Sequence, residues 1–276
     1  METYDYDNGA QRTCVTTRHL VYNYYHAGPT SAAAKKIALL LHGHGDYSYG
    51  WRYTIPVLLS HDIQCIIPDL LGFGESSKPV NHSMYRLKAM AQDMMEILSH
   101  AGVADNEKEH PNFSYWKFFT ADGTPSLLRE KLPVFWNAAV RGAAETAVPM
   151  PELETRLLTG QVPLDWLRKP QIWDDAANEN YLHTYWRGGW EAPMNWYKAF
   201  LENFEDEKEL DPTAIVQTPF LTILGKFDPA IPPEAADMTS SLFARASIKI
   251  LESGHWVAQE DGVGLGTMIV EWLGAL

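Results

Sequence analysis

Two polar residues, Asp228 and His255, stand just past the ends of short apolar runs, Phe220–Leu224 and Ser247–Leu251. Each run is cut off by a glycine turn: Gly225-Lys226-Phe227-Asp228 after the first, Gly254-His255-Trp256 after the second. Runs of this length bounded by turn residues read as strands. In an open sheet of parallel strands, ligands bind beyond the carboxyl ends of the strands. An acid and an imidazole placed there have a definite use. The carboxylate fixes the imidazole tautomer and stabilises its protonated form, and the imidazole takes a proton from water. The same residues also fit a plainer description, a turn aspartate and a surface histidine, because Asp-Pro after Gly-Lys-Phe is a common turn composition. Their joint placement on two strand exits favours the chemical reading.

The elements that must position this pair can be read from the pattern. His19–Tyr25, rich in Val and Tyr, predicts a strand closed by Gly28-Pro29. Ile37–Leu41 and Ile63–Ile67 are apolar runs ending at His42-Gly43-His44-Gly45 and Pro68-Asp69. Such runs predict strands buried on both faces of a parallel sheet. Trp51–Ser60 predicts a short helix. Leu87–His100 predicts an amphipathic one, with Leu87, Met90, Ala91, Met94, Ile97 and Leu98 at helical spacing. Pro233–Ala244 suits a helix with proline near its start, and Gly264–Leu273 a closing helix. Alternation of strand and helix predicts an α/β fold with a doubly wound, mostly parallel sheet. The division expected is a core of residues 1–111 and 207–276, interrupted by a helical, tryptophan-rich cap over residues 112–206.

Several stretches together are similar to the epoxide hydrolases of the α/β-hydrolase superfamily. They are His42-Gly43-His44-Gly45, the run Pro68-Asp69-Leu70-Leu71-Gly72-Phe73-Gly74-Glu75-Ser76-Ser77-Lys78-Pro79, the cap stretch Asn195-Trp196-Tyr197-Lys198, and Gly254-His255-Trp256. The resemblance runs from about residue 20 to the end, apart from one break. It implies the α/β-hydrolase fold, with His255 and Asp228 in catalytic roles. It implies an oxyanion and substrate pocket formed by His42, Gly43, His44, Trp51 and Trp256, with a backbone N–H at His44 in the oxyanion hole. Tyr197 matches a cap tyrosine that donates a hydrogen bond to the epoxide oxygen, and Tyr115 is aligned as its partner. Phenol donors in a dry cap polarise that oxygen as charge develops on it; the alternative is that both tyrosines are core aromatics. Relatives usually carry proline where Gly45 stands, and this change loosens the turn on which the oxyanion hole depends.

The break falls where the resemblance places the nucleophile, an aspartate on a sharp turn after a central strand. Related esterases use serine in Gly-x-Ser-x-Gly on that turn. Neither Gly-x-Asp-x-Gly nor Gly-x-Ser-x-Gly occurs in the chain. Only 11 residues, Ala104 to Ser114, separate the Leu87–Val103 segment from the cap, whereas a strand, its elbow, a helix and another strand need on the order of 30 or more. The central strands after residue 103 are therefore expected to be missing. Ile37–Leu41 then has an unpaired edge, or pairs instead with Phe220–Leu224. Three readings stay open: a hydrolase adding water to an epoxide of an apolar small molecule, a non-catalytic binding protein that keeps the pocket, and a shortened form of an active hydrolase.

Bulk properties narrow the partners. The 276 residues are 46% hydrophobic and 21% charged, ordinary for a soluble protein. A net charge of −13 argues against nucleic acid and anionic membranes. No run of ~18 apolar residues predicts a span, and METYDYDNGA lacks the features of a secretory signal. The two cysteines have no metal-ligand spacing, and Cys65, in an apolar run, reads as a buried thiol. A cytoplasmic location, no cofactor, no metal and a small apolar or aromatic substrate are the expectations.

Overall fold

The computed structural model describes residues 3–6, 9–28, 36–103, 130, 132–133, 140–142, 145, 148, 150–168, 170–208, 210–211, 213–228, 230–231, 236 and 240–276. Strand β1 (Ala10–Val15) turns back through Thr16–Leu20 into β2 (Val21–Ala27), and the two pair antiparallel from Ala10↔His26 to Val15↔Val21. The sequence pattern shows only β2. β1 is a polar edge strand whose one buried side chain is Cys14, so it carries no hydrophobic alternation to read. After β3 (Lys36–Leu39) come a short 3-10 turn at Ser48–Trp51, helix α1 (Thr54–Leu59) and β4 (Ile63–Pro68). β4 runs antiparallel to β2 and parallel to β3, which gives the sheet order β1-β2-β4-β3.

All six residues of β4 are buried. Ile63, Cys65 and Ile67 face a cluster with Ile55, Leu58 and Leu40, while Ile66 faces the opposite cluster with Tyr22, Tyr24 and Phe73. This is the two-residue alternation of a strand covered on both sides. Helix α2 (Leu87–His100) covers the second cluster with Met90, Met94 and Ile97 at helical spacing. Helices α3 (Met150–Thr159), α4 (Asp175–Gly188), α5 (Glu191–Lys198) and α6 (Phe200–Glu207) follow. They add Trp173, Tyr181, Tyr185, Trp190, Met194 and Tyr197 to the same cluster. Asp174 caps α4 by accepting from the Ala177 amide at 2.7 Å, and Gly189, at φ 72°, ends it.

The chain then forms β5 (Phe220–Gly225) and β6 (Ala246–Leu251), paired parallel from Phe220↔Ala246 to Gly225↔Leu251. This pair is a separate sheet; β5 does not pair with β3. Helix α7 (Val257–Glu260) and helix α8 (Gly262–Ala275) close the chain. Half of the helix read over Pro233–Ala244 lies outside the described residues, as does Tyr115. Helix α8 joins the two sheets. Its Ile269, Val270 and Leu273 pack with Ala38, Leu40 and Ile55, and Lys36 Nζ donates to the Leu273 carbonyl at 2.8 Å.

β3, expected to be buried on both faces, and β5 are both only partly covered. In β3 no residue is fully buried and Ile37 is 40% exposed; in β5 the first five residues are only half-buried. Burial depends on neighbours as well as on side-chain type, and among the described residues no strand lies against the outer edge of either. Full burial of an isoleucine contributes about 1.5–3 kcal/mol, of which Ile37 realises a part. Native-state hydrogen exchange is expected to show β4 amides protected to the level of global unfolding, with β3 and β5 amides protected at least about tenfold less. Equal protection across all three strands would contradict an open sheet.

Candidate active site

The turn after β5 and the loop after β6 are drawn together by their backbones. The Lys226 amide donates to the Leu251 carbonyl at 2.8 Å and the Phe227 amide to the Ser253 carbonyl at 2.9 Å. At Gly225 the two segments nearly touch: a Cβ there would lie 2.0 Å from the Gly254 carbonyl oxygen. Only glycine permits that approach.

This crossing sets Asp228 beside His255. The Asp228 carboxyl, 8% exposed, accepts from the amides of Ala230 at 2.8 Å and Ile231 at 3.0 Å. His255 Nδ1 lies 3.1 and 3.0 Å from its two oxygens. A carboxylate only accepts, so Nδ1 carries the proton and Nε2 is left as the basic nitrogen. Burial raises the Asp228 pKa, but the hydrogen bond and charge of His255 and the two amides outweigh it, and the carboxyl sits below its ordinary value. The His255 side chain is 42% exposed. Glu260, at the end of α7, grips the loop on both sides of the histidine, accepting from the Gly254 amide at 2.9 Å and the Trp256 amide at 3.1 Å. Trp256, half-buried, meets the imidazole edge-on at 5.7 Å between centroids.

The loop after β3 forms a second group. His44 packs its ring against Phe73, Trp190 and Tyr197, at 5.6, 6.1 and 4.6 Å between centroids. Burial, with His42 nearby disfavouring a second positive ring, pushes the His44 pKa down to about 3, so the ring is neutral. Tyr197, on α5, is 7% exposed. Nothing lies within 4 Å of where a Cβ on Gly43 would stand, so the loop has an open side there. His42 has a different position from the pocket role expected of it. Its Nε2 accepts from the Leu70 amide at 2.9 Å, which ties the β3 loop to the β4 loop, and its Nδ1 donates to the Gly43 carbonyl at 2.9 Å within the β3 loop, so both ring nitrogens are committed to the backbone. Trp51 is also apart from this group: it packs with Ile55, Leu58 and Ile63 in the other apolar cluster. Gly45 has φ +82°, a conformation closed to proline, whose ring holds φ near −65°. The turn here differs in kind from one built on proline.

The two groups are joined through residues with no readable motif. The Asp46 carboxyl accepts from the Tyr181 hydroxyl at 2.6 Å, the Tyr47 amide at 2.9 Å and Gln259 Nε2 at 3.2 Å. Tyr185 adds a bond to the Asp46 carbonyl at 3.0 Å, and Trp173 Nε1 donates to Gln259. Tyr181 and Tyr185, one turn apart on α4, therefore hold that helix to the loop bearing His44, while Gln259 links the same loop to the segment bearing His255. Burial raises the Asp46 pKa. The only sequence signal was the four-residue spacing of the tyrosines, which equally suits a packed helix face.

Among the described residues no three His, Cys, Asp or Glu side chains are grouped to hold a metal ion, and no helix is long and apolar enough to cross a membrane. Gly225→Ala is expected to destabilise the protein by about 1–3 kcal/mol, because the backbones must separate. The same substitution is expected to break the contact between His255 and Asp228. Denaturant unfolding measures the first effect. A variant as stable as the parent would contradict the crossing.

A family model described as alpha/beta hydrolase fold matches residues 38–105. Epoxide hydrolase srdG of Neurospora crassa is 25% identical, with 94% of this chain and 93% of that protein covered; the alignment spans 319 positions, more than the 276 residues present here. Epoxide hydrolase A of Mycobacterium tuberculosis is 21% identical over 87% of this chain and 91% of its own. Among solved structures, epoxide hydrolase A from Mycobacterium thermoresistibile superposes with a TM-score of 0.78 at 19% identity, covering 96% of this chain and 98% of that one. An epoxide hydrolase from an endophytic Streptomyces gives 0.79 at 20% identity, covering 96% and 95%. Strand order, helix placement and these likenesses agree that the chain has the α/β-hydrolase fold in an epoxide-hydrolase-like form.

Proposed function

We propose that the chain adds water directly to an epoxide of an apolar small molecule, with His255 as general base and Asp228 as its orienting carboxylate. His255 Nε2 takes a proton from water, the water oxygen bonds to an epoxide carbon, the carbon–oxygen bond of the ring breaks, and the proton then passes from the imidazolium, through solvent, to the resulting alkoxide, which gives the diol and restores neutral His255. Tyr197 donates a hydrogen bond to the departing oxygen as its charge grows. The observation that carries this reading is the 3.0–3.1 Å contact of Nδ1 with Asp228, which leaves Nε2 as the basic nitrogen. Residues 112–206 act as a cap over a core of residues 1–111 and 207–276; the aromatic packing of α4 and α5 on the loops after β3 and β4 supports this division. Two buried thiols, Cys14 and Cys65, are compatible with a reducing cytoplasm.

The rate is expected to be low. With no Gly-x-Asp-x-Gly or Gly-x-Ser-x-Gly in the chain, a covalent intermediate on that turn is not available, and loss of a nucleophile costs several orders of magnitude in kcat. That absence favours a second reading, a binding protein that holds an apolar ligand without turning it over. Diol formation from styrene oxide separates the two. His255→Ala is expected to reduce it by about a hundredfold or more. Turnover unchanged by the substitution would end the first reading, and ligand binding by the parent protein with no diol would establish the second.

A further inference from the structure

Helix α7 follows the His255 loop directly, is four residues long and has no side chain capping its start. So short a helix does not hold its own position. Helix α8 fixes its far end, where Asp261 accepts from the Gly264 amide at 2.8 Å. The last two residues of α7 attach it to the rest of the site. The amides of Gln259 and Glu260 both donate to the Trp256 carbonyl at 2.8 Å, so the two residues belong to a single turn. Their side chains leave that turn for different partners. Glu260 takes the amides of Gly254 and Trp256, on either side of His255. Gln259, 4% exposed, reaches Asp46 and Trp173. An indole only donates, so the amide oxygen of Gln259 faces Trp173 and its nitrogen faces the Asp46 carboxyl. Both ends of this buried amide are satisfied in one orientation, and releasing it would strand polar atoms without partners.

We propose that Gln259 is a positioning residue: it ties α7 to the β3 loop and to Trp173, and so sets His255 against the aromatic wall of His44, Phe73, Trp190 and Tyr197. The bonds of Glu260 stay within the His255 loop and α7, so they fix the shape of that loop. The crossing of Gly225 and Gly254 places the loop against β5. Neither contact reaches the wall. Trp256 packs on the same aromatic cluster, but apolar contact has no direction and leaves the loop able to slide. The bond from Gln259 to Asp46 spans 213 positions and is directional. Asp46 shares its loop with His44, so this bond refers the base to the wall. Asp46 also accepts from Tyr181 of α4. The base is therefore in register with the wall while α4 is docked on the β3 loop. The consequence for turnover rests on His255 being the base proposed above; the attachment of α7 does not.

The test uses the full 276-residue protein. Gln259→Leu keeps the bulk of the side chain and loses both bonds. It is expected to lower kcat for styrene oxide about tenfold or more with KM within about twofold of the parent, since misplacing a catalytic group costs rate rather than affinity. Native-state hydrogen exchange needs no turnover: in the same variant the Gly254 and Trp256 amides are expected to exchange about tenfold faster. Trp173→Phe removes only the indole donor and keeps the stack on Tyr181, at 4.3 Å between centroids. It is expected to move both measurements in the same direction by less, and it decides the outcome if Gln259→Leu does not fold. Ile97→Val, in the core beneath α2, leaves kcat unchanged. A parent-like kcat in Gln259→Leu, a rise in KM alone, or an equal loss in Ile97→Val overturns the proposal. If the parent makes no diol, the reaction proposed above fails, and amide exchange alone decides this inference: rates equal to those of the parent overturn it.

Discussion

The approach of Gly225 to Gly254 is the constraint on which the carboxyl edge of this protein depends. Two loops from adjacent parallel strands cross where neither can carry a side chain, and the crossing sets the separation of Asp228 and His255. Everything else at this edge secures that arrangement. Two backbone amides hold the Asp228 carboxyl, and Glu260 holds the amides on either side of the histidine. The pair is thus built from local contacts of β5, β6 and α7. Among the described residues it draws on no other strand.

The two sheets are bridged by α8 and by the network around Asp46. Helix α8 packs on α1 and on the residues beside β3, while α7, just before it, carries Gln259 to Asp46. Asp46 in turn receives Tyr181 of α4. A buried carboxyl with a raised pKa is costly unless its acceptor sites are filled, and here three donors fill them. The β3 loop, the segment after β6 and helix α4 therefore meet at one side chain. The aromatic wall of His44, Phe73, Trp190 and Tyr197 is assembled beside that junction.

Much of this was legible in the residues, and the failures have a common cause. β4 and α2 follow their apolar periods closely, because both are covered on the faces their sequences specify. β3 and β5 have sequences suited to full burial yet stay half-open: pattern records what a strand can bury, while its neighbours decide what it does bury. β1 was invisible because an exposed edge strand needs little hydrophobicity. The acid–imidazole pair could be read because both residues follow strand exits directly. His42 could not be assigned from its motif, since only the loops' approach shows both ring nitrogens occupied by the backbone. Trp51 failed similarly, falling on the opposite side of β4. Asp46 and Gln259 meet across 213 positions, a separation that no local pattern records.

The chemistry reduces to one proton. With Nδ1–H directed at Asp228, the imidazole keeps Nε2 as a base toward water; with the opposite tautomer it has no basic nitrogen there. The most direct test is a long-range ¹H–¹⁵N correlation spectrum of the His255 side chain in the native protein. The account predicts a proton on Nδ1 and a bare Nε2, with the preference lost in Asp228→Asn. A proton resident on Nε2, or a tautomer indifferent to Asp228, would contradict it.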